Sequence, residues 1–575
     1  MAKSKLKSKG KAPPPGILEK PPPTKEELAA KKREAANARK KFMGALGQSI
    51  GFGSVFGIIG IATTGDPKSF LGGLLGMTVL LMSLKYPIQA LWAFYIYMPF
   101  SGTVVYWVGG ANALFHLAKD AFYIPGLMGI YQYCKRYRLP FFVPKAFIAP
   151  LFLLLAYCIF IILFINPQIN KGGDKPILLG ILGLKVFMGY IPLVSCGYYM
   201  IRGKKELLWI TRITTVLAII TCVLCLMQYQ MLSSGTCQGT RGATGDALFK
   251  ASVEAKCLVG GALTFSPSQN QIRLPSTLAS PWHWGWYMIC SAFFTFATAF
   301  CDSSPFWQIA GFVGMGLNFI CSVISGQRIA TLLVPVVTII LLVLTGQVAN
   351  LKRFIPIALG LTLLLGGAAI AFPDVLQERI DSLTSRLDAS NPADFIAAQA
   401  EESAGHSGLF GKGLGRATNS ARAFGRVRLI ETWFPKVLYE VGKPGLGLFL
   451  LLVTVLTWQT FKAYRSVKDK NLRGFGACFW VFIFIISYQT YWYPLDTDPV
   501  CVYFWLFAGI TLKLPAIDKE ETKKKKELEA LLEEQIHSQG SKKSKSRSSK
   551  SKSKKTESRN TRRKSSKTKT TRSKR

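Results

Sequence analysis

Apolar stretches of about 16 to 25 residues recur through most of this 575-residue chain, each long enough to cross a hydrocarbon core of about 30 Å as a helix. Lipid offers no partner for an open backbone amide, so repeated stretches of this kind fold as helices. The expected class is all-α: a polytopic membrane protein of about 12 to 14 transmembrane helices, with a large external loop and disordered basic cytoplasmic tails. The first apolar stretch follows some forty basic, proline-punctuated residues and lacks a small-residue cleavage site, so it reads as a retained span rather than a signal peptide.

A formal net charge of +40 would point to nucleic acid in a soluble protein. Much of it, however, lies in two tails, residues 1–41 and 515–575, built from Lys, Arg, Ser and Pro. Such segments bury too little apolar surface to fold alone, and anionic headgroups attract them. They lack the aromatic interleaving of a single-strand binder, so nucleic acid is not an expected partner. Short helices are expected in both, one opening with the capping box of Thr24 and Glu27, the other over Asp518–His537. The domain reading is a basic cytoplasmic tail (1–41), a polytopic membrane domain (42–514) and a second basic tail (515–575).

Within the membrane domain the spans read as 43–63, 69–84, 86–100, 112–131, 146–165, 176–199, 207–230, 281–301, 306–324, 329–346, 354–372, 434–460, 473–490 and 498–514. Two cytoplasmic tails require an even number of spans, and this set of fourteen satisfies it. Charge sorts the connectors the same way: CKRYRLPFFVPK, RGKKE, NLKR and KAYRSVKDKNLR fall inside, and TGDP, SGTVVYWVGGAN and YPLDTDP fall outside. The two short spans flanking Lys85 also fit one broken helix with a re-entrant piece. Two longer segments, 232–280 and 373–433, fall outside as well. The first holds Cys237 and Cys257, which an oxidising compartment would allow to pair, though the sequence leaves that open. Cys222 and Cys225 sit in mid-span, where packing is expected rather than metal or redox chemistry.

Soluble loops wedged between spans are where a membrane enzyme can build a pocket, and the polar segment between Phe372 and Trp433 is the largest of these. Four histidines, His116, His283, His406 and His537, are too scattered to assemble a catalytic metal site. No P-loop, GxSxG elbow or dinucleotide fingerprint is present, and neither metal nor cofactor is expected. The outer segments instead gather arginine: Arg241, Arg273, Arg328, Arg379, Arg386, Arg416, Arg422, Arg426 and Arg428. The planar guanidinium fork grips phosphate oxygens in pairs, and arginine outside runs against the usual charge bias, so a diphosphate-linked substrate would balance it. The competing reading is salt bridging to Glu378, Asp381, Asp388, Glu401, Glu402 and Glu431 within the loop. Arg328 stands at a span boundary after a tight SGQ turn, held by rigid helices; the bland reading there is a snorkelling interfacial arginine.

Four ordered pieces, NQIRLPSTLASPWHWGWYM, SGQRIATLL, QERIDSLTSRLD followed by GLFGKGLG, and ETWFPKVLYEVGKPGLG, carry a resemblance. The region of about 273–450 resembles the O-antigen ligase and polysaccharide polymerase superfamily of bacterial polytopic membrane glycosyltransferases. The pieces look like its Arg-x-x-Gly-Thr-Phe region, its Ser-Arg-Gly helix start, the entrance and glycine turn of its outer loop, and its His-Asn-x-x-Leu block. In the last of these Glu440, Gly442 and Gly445 fall where the family has Glu, Gly and Gly. The chain departs from the pattern with Glu431-Thr432 in place of His-Asn and with Ser280-Pro281-Trp282 in place of Asn-Pro-Asn.

The resemblance implies a surface-polysaccharide glycosyltransferase of the cell envelope in the bacterial inner (plasma) membrane, both termini cytoplasmic. It would move glycan from a polyprenyl-diphosphate carrier to an acceptor hydroxyl on a glycan, lipid or protein at the outer face. Arg273 and Arg328 would hold the diphosphate, with Arg422, Arg426 or Arg428 closing from the loop. Glu431 would act as base if burial suits a carboxylate to that work, or would orient an arginine, or would mark altered activity. Trp282, Trp284, Trp286 and Trp433 would stack on sugar faces, or would form an interfacial aromatic belt. Two other classes stay open: a transporter or flippase of lipid-linked or anionic solutes, and a noncatalytic component of a polysaccharide export complex. The first predicts polar residues in broken helices at the midplane and repeat symmetry, whereas the intramembrane charges here are few, such as Lys119, Asp120, Lys185 and Arg212.

Overall fold

The computed structural model describes residues 25–110, 115, 117–169, 172–237, 239–240, 265–266, 271–348, 392–491 and 493–565, with isolated positions between 366 and 384. Fifteen α-helices are present among the described residues, and a single two-residue ribbon pairs β1 (Phe265–Ser266) with β2 (Gln271–Ile272). The chain is an all-α polytopic membrane protein. Ten helical stretches are long and apolar enough to span.

The first is α1 (Lys25–Thr64), in which the basic segment and the first span form one 40-residue helix. After α2 (Pro67–Lys85) the chain turns at Tyr86 into α3 (Pro87–Tyr97), and helical structure continues through Met98–Phe100 to a π-turn at Thr103–Val108. Much of the expected outer connector SGTVVYWVGGAN is therefore helical, because only Gly109 and Gly110 supply a break. Next come α4 (Ala118–Arg136), α5 (Ile148–Phe160, prolonged to Gln168), and α6 (Pro176–Met188) with α7 (Leu193–Met200), which together form the expected span 176–199. The bundle is completed by α8 (Lys204–Ser233), α9 (Pro281–Cys301), α10 (Pro305–Ile324), α11 (Arg328–Leu344), α12 (Pro392–Ser407), α13 (Trp433–Ser466), α14 (Lys470–Tyr488) and α15 (Val500–Ser565). Thirteen of the expected spans thus have a helix; the span 354–372 lies outside the described residues except at Gly366, Gly367 and Ile370. Proline stands in the first turn of α2, α3, α6, α9 and α10, where its missing N–H costs nothing.

The centre of the bundle is α9, which is buried along its whole spanning window. A helix that is apolar on every side belongs in an interior, and this one is clad by α8, α10, α11, α14 and α15. Phe294 meets Phe507 of α15 with ring centroids 4.1 Å apart, Asn318 of α10 donates to the Met288 carbonyl at 2.8 Å, and Thr215 of α8 donates to Thr298 at 2.8 Å. Small residues allow the closest approaches: a Cβ on Gly509 would sit 1.9 Å from the Val194 carbonyl oxygen of α7.

Connectors expected on one side touch others of that side. Thr103 donates to the Thr277 carbonyl at 2.9 Å, Lys175 to that of Phe424 at 2.7 Å and Trp433 to that of Thr490 at 2.6 Å, all between segments expected outside. At the other end Asp518 accepts from Lys468 and Asp469 at 2.9 and 3.1 Å, and the Tyr199 hydroxyl donates to the Pro140 carbonyl. Helix α15 continues to Ser565, farther than the Asp518–His537 helix expected in the tail. Its i,i+4 pairs, such as Lys524 with Glu520 at 2.7 Å, support the first turns beyond the span.

Candidate functional site

The segments expected outside gather around the first turn of α9. Before it, residues 271–280 cross the turn between α10 and α11: Leu274 donates to the Ser325 carbonyl at 3.1 Å, and a Cβ on Gly326 would lie 2.4 Å from the Ile272 carbonyl and 3.3 Å from Cγ of Arg273. Gly326 has φ +71°, so both its space and its backbone require glycine. This crossing brings Arg273 beside the turn that leads into Arg328, although 54 residues separate them in sequence. Both are half-buried. Gln327 caps α11 by position and packs on Gly285 of α9, where a Cβ would be 3.2 Å from its own.

The glycine turn of the large loop is held backbone to backbone. Gly411, Gly413 and Gly415 have φ of +80°, +103° and +87°, which lets GLFGKGLGR fold tightly against α13 and α6. Lys412 donates to the Tyr439 carbonyl at 2.7 Å and Gly413 to that of Glu440 at 3.1 Å. Helix α13 breaks at Gly442, with φ 70° and ψ −176°, and the loop fills the break: a Cβ there would be 2.0 Å from the Leu409 carbonyl oxygen. Buried Glu440 accepts from the Ala417 amide at 2.7 Å and the Thr418 hydroxyl at 3.0 Å. Buried Asn166 clasps Leu414 from both sides, accepting from its N–H and donating to its carbonyl, each at 2.9 Å.

The arginines divide by environment. Arg416 is buried in an ion pair with Asp174 and donates to the Ile169 carbonyl, so it holds the loop and is not available to substrate. Its partner comes from the connector after α5, not from the acids within its own loop. Arg428 pairs with Glu402 and lies over the Tyr439 ring at 5.7 Å. Arg426 is exposed, with its backbone tied to Asp174. Arg422 is exposed beside Asn419, and together with Glu431 it lies in the electrostatic surroundings of Tyr493. Burial pushes the Tyr493 phenol up, Asp496 and Glu431 add to the shift, and Arg422 opposes it. Arg241 and Arg386 lie outside the described residues, as does Arg379.

Two expectations change. Glu431 is exposed, so the burial attached to its role as base is not there; the buried carboxylate of this region is Glu440, which is engaged in holding the loop. Trp284 and Trp433 are interior, not interfacial. Trp284 is stacked with Tyr287, and Trp433 is wedged between Phe187 and Phe449 at 6.0 and 5.7 Å. Trp286 is also fully buried. Of the four, Trp282 is half-exposed and stacked with His283.

Sequence reasoning missed a set of ion pairs carried by YPLDTDP. Buried Lys436 pairs with Asp496 and lies 5.8 and 5.9 Å from the Trp433 and Tyr493 ring centroids. Lys119 bonds Asp498 at 2.6 Å, with the Tyr190 ring 5.7 Å from its ammonium, and Cys501 donates to Asp498 at 3.2 Å. Burial works against ionisation of Asp498, but Lys119, Cys501 and His283 together hold its carboxyl below the usual range. The signal was two aspartates beside a span in a chain with few intramembrane cations: Asp498 meets Lys119 and Asp496 meets Lys436. The turn before Arg328 thus meets Arg273 at Gly326 and the first turn of α9 where Gln327 packs on Gly285, while His283 of that same helical turn lies in the electrostatic surroundings of Asp498. Cys237 is disulfide-bonded, while Cys257 lies outside the described residues. No protein-family model matches the chain, and neither does any curated protein.

Proposed function

We propose that this chain is a membrane glycosyltransferase of surface-polysaccharide biosynthesis, of the O-antigen ligase or polymerase type. It works in the bacterial plasma membrane with both termini cytoplasmic and the 373–433 loop external. Its donor is a glycan on a polyprenyl diphosphate and its acceptor is a hydroxyl on a glycan, lipid or protein. The observation that carries this reading is the approach of Arg273 to the turn preceding Arg328: its Cγ would lie 3.3 Å from a Cβ on Gly326, two residues before Arg328, and Leu274 donates to the Ser325 carbonyl of the same turn. In the reaction the acceptor oxygen bonds the anomeric carbon as the bond from that carbon to the diphosphate oxygen breaks. Charge grows on the diphosphate, where paired arginine forks stabilise it most. The acceptor proton passes to Glu431 or to water, and Arg422 beside it closes on the donor from the loop.

A transporter reading draws on the break at Gly442, since discontinuous helices are where transporters hold substrate. That break is filled by the backbone of Leu409 and Gly411, which favours loop docking. Deleting the gene tests the proposal. Accumulated carrier-linked repeat units with short surface glycan indicate a polymerase; long carrier-linked polymer with bare acceptor indicates a ligase. Normal surface glycan and no carrier-linked material would refute both.

A further inference from the structure

At the end of the bundle opposite the arginines, a pocket of about 470 Å³ opens between α4, α7 and α15. Two cations line it, Arg202 just beyond α7 and Lys513 of α15, and no carboxylate does. Among the described residues neither cation has an ion-pair partner. The carboxylate in the electrostatic surroundings of Lys513, Glu520, is taken by Lys524 at 2.7 Å. The Lys513 ammonium is 4.7 Å from the Tyr198 ring centroid, which steers it without neutralising it. The opposite wall is built: the Tyr199 hydroxyl donates to the Pro140 carbonyl, and the Tyr199 ring packs against Tyr133 at 6.1 Å. The rim is apolar and exposed at Leu139 and Tyr137, next to the lipid-facing surface of α4. The connectors that supply part of its lining, residues 134–145 and 201–207, also carry Lys135, Arg136, Arg138, Lys145, Lys204 and Lys205, and their one acid, Glu206, is spent capping Gly203 at 3.0 Å.

We infer that this pocket binds the phosphate headgroup of an anionic membrane phospholipid, with Arg202 and Lys513 on the phosphate oxygens and the acyl chains running along α4. A cavity with two uncompensated cations and an apolar lip at a span boundary matches a phosphodiester that carries its own tails. The test uses the full-length protein in nanodiscs. Native mass spectrometry would count retained phosphatidylglycerol in wild type, Arg202→Gln, Lys513→Gln and the double variant, beside Arg138→Gln/Lys145→Gln as a charge-matched control. Each pocket substitution should cut retention roughly fivefold and both together about 25-fold, from the worth of one surface cation toward an anionic lipid. Arg202 is exposed, so Arg202→Gln leaves the interior intact and keeps the test valid if the double variant misfolds. Arg202→Lys should retain most of the lipid. Unchanged retention in Arg202→Gln would overturn the inference, and so would an equal loss in the charge-matched control, which would mean diffuse attraction only. A shift in melting temperature with inorganic phosphate or glycerol phosphate in phosphatidylcholine discs, as large as that with phosphatidylglycerol, would assign the pocket to a soluble phosphate and refute the lipid.

Discussion

Arg328 opens α11 at a rigid corner and is only half-buried, so its substitution separates chemistry from folding. Arg328→Lys keeps the charge but loses the fork, and transfer should fall by on the order of 10²-fold with abundance unchanged. Glu431 is exposed, which favours a role through charge; Glu431→Gln and Glu431→His compared across pH settle whether it moves a proton. As a base, Gln should be nearly inactive and His partly active with a displaced pH profile, whereas failure of both variants would leave it orienting an arginine. The Asp498 carboxyl is held below its usual range, so its stabilising pair with Lys119 is fully present above an unfolded value of about 3.9 and is lost as pH falls through the lower folded value. Asp498→Asn should therefore cost about 2 kcal/mol at pH 7, in thermal melts, and the gap to wild type should close only below about pH 4. A gap that closed near pH 6 would contradict the pairing. What could be read from the sequence at this scale was residue type: the arginines were singled out, but Arg416 needed Asp174, 242 positions away, to be seen as structural.

The elements that matter most are the glycine turn and the broken helix it plugs. Gly442→Ala adds a Cβ 2.0 Å from the Leu409 carbonyl oxygen at a positive φ and should destabilise by on the order of 3 kcal/mol. Limited proteolysis within 408–432 should rise with it. Gly447→Ala meets open space and should leave proteolysis as in wild type. Glu440→Ala strands two buried donors and should cost roughly 3 kcal/mol, while Glu440→Gln keeps the acceptor and should cost roughly 1. Helices stand at thirteen of the expected positions, and at ten of these they are long and apolar enough to span, because hydropathy and proline starts are local signals. The helical continuation through Thr103–Val108 was not, since a glycine-flanked aromatic run reads as a loop until Thr277 is seen to cover it. Trp284 and Trp433 misled for the same reason: sequence places them at span starts, and only packing shows them interior.

At the scale of the whole molecule, same-side connector contacts support an alternating multi-pass chain, and orientation is the part to measure. Ala404 is exposed on α12, whereas neighbouring Ser403 is buried, so Ala404→Cys should label with a membrane-impermeant thiol reagent in intact cells while Ser541→Cys should not. The reverse pattern would invert the topology. Truncation after Ile536 removes much of the basic tail and should leave transfer near normal, because the tail's composition suits attraction to lipid and not catalysis. In the function proposed above, Arg273 and Arg328 help to move glycan off a polyprenyl diphosphate. The most direct measurement of this is carrier-linked glycan, quantified by mass spectrometry, in cells whose only copy is Arg328→Ala at normal abundance. Carrier-linked glycan should accumulate as in the gene deletion, with the acceptor unmodified; normal transfer and no accumulation would contradict a role for Arg328 in the transfer.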